Sequence, residues 1–294
     1  MKMHQNSAEK YGKKESKALE IWNRMRKNVG AMFGLAVIVI FTLCAIFANV
    51  ICSEELVTLQ NASIRLQGPS AEHIFGTDGY GRDVFARVIF GSRISLTIGL
   101  FTAFFSLIIG GTLGAAAAFY GGKVDSIIMR VMDVFTAIPG TLLALAIVAA
   151  LGASMINLLI AITISSIPSF VRLIRSSVMT VVESDYVEAA RACATKDSRI
   201  IIRHILPNAI GPIIVQTTSS VSGMILQASG LSFIGMGVQA PTPEWGAMIS
   251  EAREFMRIAP HMMIFPGACI ILAALSFNLI GDGLRDAFDP RLRD

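Results

Sequence analysis

Long uncharged stretches alternate with short charged ones along this chain, and the length of the uncharged stretches decides its class. A helix that crosses a bilayer needs about 20 apolar residues at a rise of about 1.5 Å each. Val29–Cys52 is uncharged and rich in Ile, Val, Phe and Ala, and Ile94–Tyr120 stays uncharged up to Gly121-Gly122. Val134–Val171 is uncharged throughout, too long for one crossing, and interrupted at Gly152-Ala153-Ser154. It divides into Val134–Leu151 and a span over Ile156–Ile174. From Ile205 to Pro243 no charge occurs; one span fits over Ala209–Ile234, followed by a Gly/Pro-rich loop. Ile258–Gly281 is the sixth. The pattern predicts an all-α polytopic bundle of about six transmembrane helices. A soluble bundle could not bury six such runs, and an outer-membrane barrel needs polar and apolar residues in alternation.

Composition and charge turn this pattern into a topology. Hydrophobic residues make up 53% of the 294 and charged ones only 16%, against about 25% in soluble domains. Six spans place both termini on one side, and basic residues choose that side. With the N-terminus inside, the inner segments hold nineteen Lys and Arg and the outer ones six. The expected organisation is therefore a cytoplasmic tail over 1–28, a first helix over 29–52 and an extracytoplasmic segment over 53–93. A five-helix core follows over 94–281, with a cytoplasmic loop at 176–207 and a cytoplasmic tail over 282–294. The polar, basic N-terminus precedes an apolar run too long for a signal-peptide core, so the first span is expected to stay uncleaved. Cys44, Cys52, Cys193 and Cys269 form no C-x-x-C pair and read as small hydrophobes. His4, His73, His204 and His261 show no metal spacing. No metal site and no catalytic residue is expected.

The spans carry their own signals. Gly110 and Gly114 form a small-xxx-small face that lets helix backbones approach, within the chain or across a dimer seam. The fifth span is the most polar, with Gln216, Thr217, Thr218, Ser219, Ser220, Ser222 and Gln227. Such groups in hydrocarbon must face protein or water, so Gln216, Thr217, Ser220 and Gln227 are candidates for a translocation path. The competing reading has the hydroxyls bonding back to their own helix carbonyls; glutamine amides reach too far for that. Pro139, Pro168, Pro212, Pro260 and Pro266 lie in or near spans and can kink them. His261 and Asn278 are the nearest approach to a mid-span polar pair, too little for an ion-coupled carrier.

Arg172–Arg203 is the longest charged connection on the inner side, with six basic and four acidic residues. Asp185 can cap a helix, with Glu188 three residues on in capping-box register. Ala189, Ala190, Ala192 and Ala194 favour helix. Lys196-Asp197-Ser198 restarts a second short helix, Arg199 to Leu206, which Pro207 is expected to end as it opens the fifth span. A face of alanines suits insertion into a partner's groove. An amphipathic helix lying on lipid would carry bulkier apolar residues.

Glu188-Ala189-Ala190, the small residue Ala194 and Leu206-Pro207-Asn208 together resemble the EAA loop of ABC importer permeases. His73-Ile74-Phe75-Gly76-Thr77-Asp78, Gly81-Arg82-Asp83, Arg93-Ile94-Ser95-Leu96, Ser232-Phe233-Ile234-Gly235, Pro241-Thr242-Pro243-Glu244-Trp245-Gly246 and Gly281-Asp282-Gly283-Leu284-Arg285-Asp286 narrow the resemblance. They are similar to the dipeptide/oligopeptide/nickel group, in its "C"-type subunit. This resemblance, over Val29 to Arg291, implies a MetI-like fold in the cytoplasmic (inner) membrane. It also implies a homologous "B"-type permease partner, two ATPase subunits and an extracytoplasmic solute-binding protein. Glu188, Ala189, Ala190, Ala194, His204, Leu206 and Pro207 would couple to the ATPase. ATP would reside on those partners, since the chain has no G-x-x-x-x-G-K-[ST] and is not expected to be an enzyme. The family pattern has Gly at Ala194, where a turn would be easier; Ala would lengthen the first helix.

Outside, Gly76–Asp83 is dense in turn formers. Asp78 and Asp83 can cap turns, Arg82 can pair with either, and the spacing is wrong for an EF-hand calcium loop. By resemblance, Asp78, Arg82, Pro243 and Trp245 lie where a binding protein would land. The function implied is import of di- or oligopeptides, with nickel or glutathione as alternative solutes. A stand-alone channel or ion-coupled carrier would show uptake from this chain alone. A membrane enzyme finds no supporting motif, and no nucleic-acid partner is implied.

Overall fold

The computed structural model describes residues 17–288. Much of the basic N-terminal tail and Arg291 and Arg293 of the C-terminal one lie outside the described residues. In chain order the helices are α1 (Lys17–Met25), α2 (Val29–Ile46), α3 (Ala48–Ile51), α4 (Glu55–Thr58), α5 (Val84–Tyr120), α6 (Gly122–Thr136) and α7 (Gly140–Leu151). They continue as α8 (Met155–Val182), α9 (Asp185–Ala192), α10 (Asp197–Ile200), a π-helical turn (Ile201–Ile205), α11 (Leu206–Phe233), α12 (Trp245–Ala252) and α13 (His261–Phe288). Among the described residues the only β pairing is an isolated bridge, Thr77 to Asp83.

Five helical segments are long and apolar enough to cross a bilayer, and α6 with α7 makes a sixth, bent by 79°. The all-α six-span architecture therefore holds, but helix boundaries differ from the sequence reading: the first span breaks at Phe47, and α8 runs past Ile174 to Val182. The second span begins at Val84 rather than Ile94. Asp83 stops the chain before it and accepts from the Ala86 N–H at 2.8 Å. The 37 residues that result reach roughly 55 Å, far more than a hydrocarbon core of about 30 Å. The third span is not a straight Val134–Leu151. Ala137 ends α6 and Pro139 starts α7, because proline lacks an N–H and holds the residue before it out of helix. The last span runs through Asp282, Arg285 and Asp286 to Phe288 instead of stopping at Gly281.

In lipid, tails are as apolar as side chains, so helices associate by close packing rather than by escape from water. The α5–α8 seam shows how. A Cβ on Gly110 would sit 2.5 Å from Phe170 Cβ, and one on Gly114 would sit 2.6 Å from the Val171 carbonyl. The small-residue face thus packs within the chain. Ile98, Leu158, Ile162, Ile225 and Trp245 are fully buried at the centre of the main cluster. Ile40, Ile46, Phe104, Val134 and Ile271 point outward, as a bilayer-embedded surface requires.

Candidate functional site

The loop after α8 is built as a short helix held at one point and presented at the rest. Ser184, in an extended conformation, is the N-cap of α9; Asp185 is the first helical residue, not the cap as the sequence reading had it. Its carboxylate still lies in the first turn, where the helix dipole favours it. Val187 is fully buried, while Asp185, Tyr186, Glu188, Ala189 and Ala192 are exposed and Ala190 is half-buried. Val187 joins Ala115, Phe119, Ile174, Val178, Ile200 and Ile205 in one cluster, so α9 rides on the ends of α5 and α8. The Arg191 guanidinium stacks over the Phe119 ring at 4.7 Å.

The segment ends differently from what its sequence suggests. Ala194 does not lengthen α9. It adopts φ +51° as the left-handed residue of a Schellman cap, with Ala194 N–H donating to Arg191 C=O at 2.9 Å and Thr195 N–H to Ala190 C=O at 3.2 Å. Nor does Pro207 end a helix. From Asp197 to Phe233 the chain is continuous, and the missing Pro207 N–H is absorbed by the π-helical turn, where Leu206 N–H reaches back to Ile201 C=O. The Asn208 side-chain amide donates to the His204 carbonyl at 2.7 Å. Arg203, Pro207 and Asn208 are exposed, and His204 and Leu206 half-buried.

Further into the bundle, α11 divides its polar residues between two fates. Thr217, Thr218, Ser219 and Ser220 donate to the carbonyls of Ile213, Ile214, Val215 and Gln216, the back-bonding alternative. Gln216 makes no such bond; it lines a cavity of about 310 Å³ with Ser220 of α11 and Ser169, Arg172 and Ser176 of α8. Gln216, Ser220, Gly223, Gln227 and Gly230 recur at helical spacing on one face. A Cβ on Gly223 or Gly230 would meet nothing within 4 Å. Gln227 approaches the Gly140 carbonyl and Ser165 only at 3.4 and 3.5 Å. Thr217 belongs to the next face round. Asn278 is satisfied by a 2.8 Å bond from Ser222.

Sequence reasoning left Arg172 out of the path. Its Nη2 donates to Asp133 Oδ1 and Thr136 Oγ1, each at 2.8 Å. The two charged side chains are 44% and 65% exposed, and a pair so open contributes only about 0–1 kcal/mol to stability. Three residues on, Arg175 grips Asp125 through two bonds of 2.5 and 2.6 Å and clamps α8 to α6. A positive charge inside the span expected over Ile156–Ile174 was the signal available in the sequence.

At the opposite end, three of the four residues expected to meet a partner are interior. Asp78, Arg82 and Trp245 are buried; only Pro243 is partly exposed. Asp78 accepts from the Tyr80 and Arg82 N–H groups and from Arg82 Nε. Arg82 and Arg87 both donate to Glu251 of α12, at 2.6 and 3.0 Å. Trp245 Nε1 donates to the Val88 carbonyl. Glu244, fully buried, caps α12 through Gly246 and Ala247 N–H and accepts from Ser95. Burial pushes its carboxyl above the ordinary carboxylate range, and these donors pull it partway back. His73 donates to Asp83, and His261 to the Thr77 carbonyl. Two unpaired buried arginines would be prohibitive; four interlocked charges make a rigid cap. Pro243, Tyr80, Ile74 and Ile258 remain at its surface. Among the described residues no cluster of ligating side chains could hold a metal.

Known proteins share both sequence and fold with this chain. The family described as binding-protein-dependent transport system inner membrane component matches residues 108–294. The N-terminal TM domain of oligopeptide transport permease C matches residues 16–69. The dipeptide transport system permease protein DppC of Alkalihalophilus pseudofirmus is 49% identical over 93% of this chain and 90% of its own. The glutathione transport system permease protein GsiD of Pectobacterium atrosepticum is 43% identical over 93% and 91%. An inward-facing structure of the MetNI methionine ABC transporter superposes with a TM-score of 0.57, at 15% identity, over 70% of this chain and 98% of that one. The chain belongs to the family of binding-protein-dependent transport system inner membrane components, the ABC importer permeases.

Proposed function

We propose that this permease imports di- or oligopeptides across the cytoplasmic membrane, as half of a translocation path completed by a homologous permease subunit. The relative most similar among those above is a dipeptide permease, which supports the solute class. Glutathione, the solute named for the second relative, is itself a small peptide and is the alternative reading. Both termini lie in the cytoplasm, and a solute-binding protein docks on the extracytoplasmic cap around Pro243, Tyr80 and Ile74.

The observation that carries the mechanism is α9: one buried anchor, Val187, under an exposed face of Glu188, Ala189 and Ala192. Two separate ATPase subunits bind and hydrolyse ATP, and one of them receives this face. Alanine lets its groove approach the α9 backbone, and Glu188 supplies a charge for orientation. Because Val187, Ile200 and Ile205 share a cluster with Phe119 and Ile174, force on α9 reaches the inner ends of α5 and α8 together. Ala194 fixes the angle at which α9 leaves that cluster, and His204, Leu206 and Pro207 pass the motion into α11. Gln216, Ser220 and Gln227 then face the solute.

Glu188→Arg and Ala190→Arg in the reconstituted importer should abolish binding-protein-dependent uptake and reduce co-purification of the ATPase, with the permease still folded. Normal uptake by both variants would sink the coupling role. Uptake into liposomes holding this chain alone would identify a channel instead.

A further inference from the structure

The cavity between α8 and α11 contains one arginine, and that arginine is held in a way that lets it change partners. Arg172 is 17 residues from the Met155 end of α8, and Gln216 is 17 residues from the Phe233 end of α11. Both therefore lie roughly 26 Å along their helices from the same end of the bundle, at one level. Val182, the other end of α8, is a further roughly 15 Å away. Arg172 lines the cavity and is 44% exposed, and its partner Asp133, 65% exposed, sits beside it.

The neighbouring ion pair sets the contrast. Arg175 and Asp125 are joined twice and are about a quarter exposed; they hold α6 against α8. Arg172 uses Nη2 alone among the described residues, for Asp133 and Thr136. Once Asp133 leaves Nη2, that nitrogen and Nε together can take a carboxylate bidentately, as Arg175 does with Asp125. Asp133 lies on α6 just before the 79° break, and its exposed side chain is free to swing off Arg172 while the Arg175–Asp125 clamp keeps α6 on α8. A free peptide carries one carboxylate and one ammonium. Exchanging the internal pair for those two ends keeps each charge paired and leaves the net charge in the cavity unchanged.

Resting on the peptide reading above, we propose that Arg172 and Asp133 form a zwitterion-exchange site. The pair opens to take the peptide carboxylate on Arg172 and the peptide ammonium on Asp133, beside Gln216 and Ser220, and closes again once the solute has left. Arg172 is thereby a specificity-determining residue for solutes bearing both termini.

The test uses the complete importer, with both permeases, ATPases and binding protein, in proteoliposomes. Alanyl-alanine and its C-terminal amide are each supplied on saturating binding protein. The Arg172→Gln variant should slow the free acid about tenfold while slowing the amide little, and Arg172→Lys should recover part of the loss. Asp133→Asn should do the same for the free peptide against its N-acetyl form. Equal slowing of free and capped solutes would make the pair purely structural and overturn the proposal. A second measurement needs no solute. In the assembled importer with the four native cysteines replaced, Ser220→Cys is labelled with anionic and cationic thiosulfonates. Arg172→Gln should lower the anionic-to-cationic rate ratio about tenfold; an unchanged ratio would show that the guanidinium does not govern the cavity. If the unmodified importer moves neither peptide, the peptide reading fails, while the labelling ratio still judges Arg172 itself.

Discussion

Ala194 sits in a backbone conformation that its own Cβ resists. At φ +51° an L-residue pays about 1–2 kcal/mol relative to the right-handed form, a penalty that glycine escapes. The Schellman bonds around it hold the strained residue in place. Ala194→Gly removes the strain but adds freedom to the unfolded chain, so a net gain of about 0.5–1 kcal/mol is expected. Hydrogen exchange at the Ala190–Thr195 cap should slow about two- to fivefold, and faster exchange would contradict the assigned strain. At this scale the sequence was informative where chemistry is local. A short alanine-rich helix after a charged stretch is visible in a window of ten, which brought out Glu188, Ala189 and Ala190; residue 194 stood out only against the family pattern, which has Gly there. It misplaced Asp78, Arg82 and Trp245. Their neighbours are turn formers, which suggest surface, whereas what buries Arg82 is Glu251, 169 positions away. A window of local residues does not contain that partner.

Among the elements, the charge-free runs located the spans but not the ends of the helices. Such runs measure the thickness of the hydrocarbon, and a helix continues past it wherever its charges find partners. Arg87 does so at the start of α5 through Glu251. Asp286 does so near the end of α13, where it accepts from the Asn28 amide. Prolines needed tertiary context as well. Pro139 breaks its span by 79°, while Pro168, Pro212 and Pro266 stay inside continuous helices. Pro207 takes a third course, since the π-helical turn before it shifts the register of everything upstream. Restoring the N–H with Pro207→Ala lets the turn relax to α, which rotates α10 and α9 by about 100° relative to α11. That would turn Val187 out of its cluster or strain the linker. The expected result is a folded permease whose uptake and ATP hydrolysis are uncoupled, measured as ATP turned over per solute imported. An unchanged ratio would mean that the π turn is not part of the coupling geometry.

For the molecule as a whole, one sidedness follows from the charge count and a single exposed thiol can test it. The two ends of the bundle differ in construction. One carries the interlocked cap of Asp78, Arg82, Arg87 and Glu251; the other carries α1, α9 and α10 with their exposed charges. Basic residues near span ends are retained on the cytoplasmic side, and on that rule the proposed orientation has α9 inside and the cap outside. Of the four cysteines, Cys193 alone is exposed; it follows α9 directly, while Cys52 is buried near the cap and Cys44 and Cys269 are half-buried in spans. A membrane-impermeant maleimide should therefore label Cys193 in inverted vesicles and leave it unlabelled in right-side-out ones. Adding the ATPase should slow that labelling, since a subunit seated on Glu188 and Ala189 covers the next turn as well. Labelling from the outside would invert the whole arrangement, and with it the assignment of α9 as the surface that receives the energy of ATP.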